Sequence, residues 1–381
     1  MSADPVLFSE ASQPPMLPLL TRRHTLLGAA ALASTLPPQR ALARAQEAGP
    51  IRLDGNENPY GPSPAARQAI LQSAGSAPRY GDDSVAQLAR LLAAREQVAE
   101  DQILVGAGSG ELLKMVALMT ATATPGSELV ASRPTYEELP EFAQRLGLKM
   151  RWVAPDAALR HDLVAMRAAV TDATRLVYVC NPNNPTGTAV TRVALEAFIR
   201  SVPAGCLVLV DEAYIDLVDQ AGVSSVAPLV KDIPNLVVLR TFSKIHGLAG
   251  LRIGYGIAPP ALAHRLADLA LTLPNSTGLA AAIASLSDHA FLKASRTALV
   301  GDRNRVHAAL DRLGLKRADA QGNFVFFDTS APLERFQARM LAGGIKVGRR
   351  FDGFDTWARV TMGLHREVDR FLAVLPTALR A

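Results

Sequence analysis

The chain has 381 residues, 49% of them hydrophobic, and a formal net charge of +5, enough to bury one large domain with a smaller companion. The positive excess is spread thinly, without basic runs or interleaved aromatics, which leaves nucleic-acid binding without support. The two cysteines, Cys180 and Cys206, both lie in apolar stretches and read as small core residues rather than a disulfide.

Residues 1–20 are proline-rich and lack a helical period. TRRHTLLGAAALASTLPPQRALA follows, in which Arg22 and Arg23 precede an uncharged stretch and Ala41-Leu42-Ala43 supplies small residues for a peptidase. This is the three-part layout of an export signal, and its apolar stretch is too short for a stable membrane span. The arginine pair, with Thr21 before it and Leu26-Leu27 after it, resembles a twin-arginine signal. Residues 1–45 are therefore set apart from the fold, and the expected location is periplasmic, with a cytoplasmic protein as the alternative.

From residue 51 on, short β-rich runs alternate with amphipathic stretches. Strands are predicted at 103–105, 128–131, 150–153, 176–179, 207–210, 237–239 and 253–257, and helices at 111–119, 137–146, 163–170 and 193–199. Strands separated by helices predict an α/β fold, a mostly parallel seven-stranded sheet covered on both faces. Ligands of such sheets gather at the carboxyl ends of the strands. After residue 285 a long helical stretch leads to a strand at 322–327, a helix at 333–342 and a strand at 358–362. The expected division is an arm at 46–75 joining the small domain, a large domain at 76–284 and a small α/β C-terminal domain at 285–381.

Four polar motifs fall where strands should end. GAGSGELL places Gly106, Gly108, Ser109 and Gly110 between a strand and a helix. Amides at a helix start make an anion site, and glycines let a phosphate approach. CNPNNPTG, residues 180–187, is a rigid turn able to hold Asn184 at a fixed angle, because each proline restrains itself and its predecessor. In VLVDEAYIDL, Asp211 closes an apolar run; no ligand-spaced cluster of Asp, Glu or His accompanies it, which argues against a metal. RTFSKIHGLAGLRIGY, residues 240–255, carries Thr241, Ser243, Lys244 and Arg252.

NPNNPTG, DEAY and SKIHGLAGLRIGY, in that order and at those separations, resemble a fold-type I pyridoxal-phosphate aminotransferase, and within that group the histidinol-phosphate aminotransferases. LDGNENPYGPS, Arg79-Tyr80, PTYEEL and ARVTMG add to the likeness, which covers nearly everything after residue 50. The resemblance implies a pyridoxal 5'-phosphate cofactor held by a Schiff base on Lys244, with Asp211 on the pyridine nitrogen. It places Asn184 and Tyr214 on the phenolic oxygen and Tyr136 on the ring face. It assigns the phosphate to Arg252, Ser243, Thr241 and the turn of Gly108, Ser109 and Gly110. Arg359 would clamp a substrate carboxylate, and Asn58 would line the entrance. Tyr80 would reach the partner's phosphate across a homodimer. The implied reaction is ping-pong transamination between an amino donor and an oxo-acid acceptor, with Lys244 carrying the proton. The alternatives are a decarboxylase of the threonine-phosphate type and a non-catalytic protein that keeps the pocket.

The chain departs from the family pattern in three places. Gly81 replaces the proline of Arg-Tyr-Pro. Gly348 stands where an arginine that reads the substrate phosphate is expected, which leaves Arg349 as its possible substitute. His246 is atypical after the lysine and reads as a polar loop residue, with a substrate contact as the alternative.

Overall fold

The structure is a computed structural model that describes residues 49–380; the expected export signal lies outside the described residues. The chain enters through β1 (Ile51–Leu53), α1 (Pro64–Ser73) and α2 (Asp82–Glu96). Ser63 caps α1, its hydroxyl accepting from the Ala66 amide at 3.2 Å, with Pro64 in the first turn where its missing N–H is harmless.

Seven strands follow: β2 (Ile103–Gly106), β3 (Glu128–Ser132), β4 (Lys149–Val153), β5 (Thr174–Cys180), β6 (Leu207–Asp211), β7 (Leu236–Thr241) and β8 (Gly254–Ile257). They form one sheet in the order β2-β8-β7-β6-β5-β3-β4. All neighbours are parallel except at β8, which runs against both β2 and β7. The crossovers include α3 (Ser109–Ala123), α4 (Glu138–Arg145), α5 (Leu163–Ala168) and α6 (Arg192–Ser201), with α7 (Pro260–Ala267) after β8.

Alternation along the strands sorts side chains into two cores. Val177, Val179, Val208, Val210 and Val238 pack on one side with Leu88, Leu92, Leu195 and Leu279. Leu176, Tyr178, Leu209, Val237 and Leu239 pack on the other with Leu112, Leu113 and Leu139. A period of two buried on both faces is the pattern of a strand covered by helices above and below. Cys180 and Cys206 are both buried and free.

After α8 (Ser276–Ser287) and the long α9 (His289–Arg312), a second layer is built from β9 (Phe324–Asp328), α10 (Leu333–Ala342), β10 (Ile345–Val347), β11 (Trp357–Thr361) and α11 (His365–Leu379). β9 pairs antiparallel with β11, and β10 pairs parallel with β1. Phe324, Phe327, Phe336, Met340, Val360 and Phe371 fill its core.

The 46–75 arm divides between the two cores instead of joining the small domain as a whole. Leu53 of β1 packs in the small-domain core, but Ala66 of α1 packs with Leu88 and Leu279. The apolar side of α1 lies on α8, tied there by Ser73 Oγ and Thr277 Oγ1 at 3.1 Å. Among the described residues no helix is long and apolar enough to cross a membrane.

Candidate active site

At the carboxyl ends of β5, β6 and β7 lies a cavity of about 320 Å³. Its walls include Ser109, Gly110, Tyr136, Asn184, Asp211, Tyr214, Thr241, Ser243, Lys244, Arg252, Arg349 and Arg359. Residues from six separate motifs of the sequence therefore meet in one place.

Each is held by its local chain. Asp211 ends β6 opposite Cys180 of β5. Its Oδ1 accepts from the Ala213 amide at 3.1 Å, while Oδ2 has only a long contact, 3.4 Å, from the Tyr178 hydroxyl. Burial pushes its pKa up to about 6, as a carboxylate short of partners requires. Among the described residues no cluster of metal-ligating side chains exists.

Lys244 is half-buried. Its ammonium donates to the Asn56 carbonyl at 3.1 Å and lies 5.3 Å from the Tyr214 ring centre. Burial and, next, the Arg359 charge press its pKa down to about 8. An amine in that state has a usable lone pair near neutral pH.

The proline-rich turn works as a clamp. Asn183 Oδ1 accepts from Thr135 Oγ1 at 2.9 Å, and its Nδ2 donates to the Pro134 carbonyl and to Thr186 Oγ1, both at 3.0 Å. Asn181 Oδ1 accepts from the Val190 amide at 2.9 Å. With its neighbours committed to the turn, Asn184 is free to face the cavity. Its Oδ1 accepts from Arg359 Nη1 at 2.7 Å, which leaves Nδ2 for a ligand. Arg359 also donates from Nη2 to the Asp54 carbonyl at 2.8 Å, and its buried Nε has no partner.

The anion cup forms where Gly108, with φ 86°, turns the chain into α3. The first amides of a helix have no acceptor within it. The guanidinium of Arg252 reaches them from a left-handed backbone, φ 54°, with Nη1 at 3.0 Å from the Ala249 carbonyl and 3.5 Å from Ser243 Oγ. Thr241 Oγ1 accepts from the Ser243 amide at 3.1 Å and fixes that loop. Glu111 braces the cup by accepting from the amides of Ala107, Leu271 and Thr272.

One expected position falls elsewhere. Asn58 does not line the entrance: its amide donates to the Ile245 carbonyl and to Ser295 Oγ, each at 2.8 Å, and pins the arm to the lysine loop. Asn56 takes the cavity place, donating from Nδ2 to the Tyr214 hydroxyl at 3.0 Å. Tyr80, expected to reach a partner's phosphate, is 86% exposed. His246 faces away, buried between Ser285 and Arg95, and burial lowers its pKa to about 4. Glu57 and Glu138 line the cavity without having been singled out, and so does Cys180, expected only as a core residue. The polar residues flanking Asn58 and Tyr136 were the signal available for the first two.

Such a site, a half-buried lysine and a buried carboxylate beside an anion cup, fits pyridoxal phosphate, with Lys244, Asp211 and the cup of Ser109, Gly110 and Arg252 placed to hold it. The class this defines is the fold-type I pyridoxal-phosphate enzyme. The family model described as "Aminotransferase class I and II" matches residues 48–375. The histidinol-phosphate aminotransferase of Moorella thermoacetica is 39% identical over 329 residues, 85% of this chain and 84% of that protein. The aromatic amino acid aminotransferase of Rhodococcus jostii is 40% identical over 85% of this chain and 89% of its own. The crystal structure of histidinol-phosphate aminotransferase from Sinorhizobium meliloti, in complex with pyridoxal-5'-phosphate, superposes with TM-score 0.80 at 28% identity, covering 92% of this chain and 96% of that one. The chain belongs to the class I and II aminotransferases, similar to the histidinol-phosphate group, and catalyses pyridoxal-phosphate-dependent transamination.

The lowered lysine pKa has a direct readout. Only the neutral amine attacks an aldehyde, so the rate at which cofactor-free protein captures pyridoxal phosphate should climb from pH 6.5 and level off above about 8. Stopped-flow absorbance across that range checks it; a plateau reached only near pH 10 would show an unshifted lysine.

Proposed function

We propose that the protein transfers the amino group of an unphosphorylated α-amino acid to an oxo-acid. The observation that carries this is Gly348. A Cβ there would come within 2.7 Å of the Arg359 carbonyl oxygen, closer than real side chains approach, so the phosphate-reading arginine of the histidinol-phosphate group has no room on this backbone. Arg349 does not replace it as a free cation. Its guanidinium is paired with Glu137 and lies 4.5 Å from the Phe351 ring centre. Arg359, with one unpartnered Nε, is instead suited to a carboxylate, which a guanidinium can grip through two parallel hydrogen bonds.

When bound, pyridoxal phosphate supplies an aldehyde that takes up amines and a ring that withdraws electrons. The residues then divide the work. Arg252, Ser243, Thr241 and the Ser109 and Gly110 amides hold the phosphate. Asp211 would pair with the pyridine nitrogen and keep it protonated. Asn184 and Tyr214 would hydrogen-bond the phenolic oxygen, and Tyr136 would cover the ring face. Arg359 fixes the substrate carboxylate and so aims the α-hydrogen at Lys244. The neutral Lys244 amine would be the base that accepts that proton.

An amino-donor screen on the purified holoenzyme, followed by cofactor absorbance, tests the reading. α-Amino acids should convert the cofactor to its amine form, and histidinol phosphate should be a poor donor. Preference for histidinol phosphate, or release of carbon dioxide in place of transamination, would overturn it.

The reading includes a homodimer and export. Leu71, Tyr80, Leu91, Leu271 and Leu273 are large apolar or aromatic side chains left exposed on or beside α1, α2 and α8, which pack together. Exposed side chains of this kind suit a second copy, from which Tyr80 would reach the neighbouring phosphate. Export rests on the arginine pair and small-residue site of residues 21–43. Fractionation that finds only uncleaved chain in the cytoplasm would remove it.

A further inference from the structure

Glu138 stands on the cavity wall without a part in the reaction proposed above. A carboxylate beside an anion cup needs a reason. The Tyr136 hydroxyl donates to Glu138 Oε2 at 2.7 Å, and Lys114 Nζ lies 2.9 Å from Oε1. The three form a chain that ends on α3, the helix whose first amides make the cup.

We propose that Glu138, braced by Lys114, is a positioning residue that sets the tilt of the Tyr136 ring over the cofactor; the proposal rests on the aminotransferase reading. The phenol oxygen lies on the ring's own axis, so a bond there leaves ring flips free but fixes the direction of the axis. That direction decides how the ring meets a planar ligand. The polarity of the bond is also fixed. Burial and then the Glu138 bond push the Tyr136 phenol up, so it stays a donor. Burial pushes Glu138 up as well, but the bonds from Tyr136 and Lys114 outweigh it and hold the carboxyl below its usual range.

Space at the cup has been made for this carboxylate. A Cβ on Gly110 would lie 2.7 Å from Glu138 Oε1 and 3.0 Å from its Cδ. A side chain at 110 would crowd the acid and force it to shift, so the glycine leaves room for the brace as well as the phosphate. Lys114 is 37% exposed, and it holds the far oxygen without entering the cavity.

The test is a double-mutant cycle read by affinity of the cofactor-free protein for pyridoxal phosphate and by circular dichroism of the bound cofactor. Tyr136→Phe and Glu138→Leu should each weaken binding about tenfold and reduce the induced signal. The double variant should be no worse than either single one. Glu138→Gln keeps an acceptor of the same shape and should stay within about threefold of wild type. Should Glu138→Leu not fold, Lys114→Met takes its place, with a loss of about threefold in the wild-type background and none beside Tyr136→Phe. Additive losses of about a hundredfold, or a Glu138→Leu variant equal to wild type, would overturn the proposal. Wild-type uptake of pyridoxal phosphate is measured first: its absence sinks the aminotransferase reading, whereas additive losses with normal uptake sink only the brace.

Discussion

Lys244→Ala should lower kcat by about 10⁴-fold or more while leaving the cofactor bound. The substitution removes both the amine that binds the aldehyde and the group that moves the α-proton, and no neighbour can take either part. The other cations of the cavity are Arg252, Arg349 and Arg359, and guanidinium groups do not give up protons near neutral pH. The cup at the start of α3 is untouched, so the phosphate keeps its partners. Gel filtration should recover cofactor with the variant, now without the absorbance band of its bond to lysine. Lys244→Arg separates charge from chemistry: it keeps the positive charge beside Asp211 and should be as inactive as alanine. A small primary amine in the assay should restore part of the rate to Lys244→Ala, since it can serve as the missing base. If Lys244→Ala kept the lysine-linked band, another residue would be the covalent partner.

Much of this site could be read from the sequence because its signals are local. Asp211, Thr241 and Lys244 follow apolar runs that are strands, and a polar residue just past such a run falls at the strand's carboxyl end. Turn chemistry pointed to Asn184 for the same reason. What escaped depends on distance along the chain. β1 and β10 are three-residue strands that pair across nearly the whole described chain, and neither has an alternation long enough to register. Asn56 and Asn58 sit two residues apart in one polar run, and distant partners decide between them: Tyr214 and Thr361 hold Asn56, and Ile245 and Ser295 hold Asn58. α1 is amphipathic, but its sequence does not say which core its apolar side will meet. Glu138 reads as an ordinary acidic residue in the first turn of a helix. Its closeness to the cup follows from how α4 lies against α3, which no local pattern encodes.

Asp211→Asn should lose about 10³-fold in kcat, the scale of losing a preorganised charge at the reacting group, and yet make the cofactor-free protein more stable at neutral pH. Both effects come from one buried carboxylate. Its pKa is raised from 3.8 to about 6, chiefly by burial. A carboxyl whose folded pKa lies above its unfolded one stabilises the fold while protonated. That contribution is complete below pH 3.8 and is lost as the pH rises through about 6. At pH 7 the wild-type protein therefore carries a burden of about 2–3 kcal/mol, two pKa units' worth. Asparagine does not ionise, and its Oδ1 can still accept from the Ala213 amide. Urea unfolding of the cofactor-free proteins should show a small gap at pH 4 that widens to about 2–3 kcal/mol by pH 7, in favour of the variant. Saturation with pyridoxal phosphate should shrink or reverse the gap, because the ionised Asp211 then has the pyridine nitrogen as its partner and the asparagine does not. A gap unchanged by pH would mean that Asp211 is not the titrating group. A gap unchanged by the cofactor would mean that its carboxylate does not face the ring nitrogen.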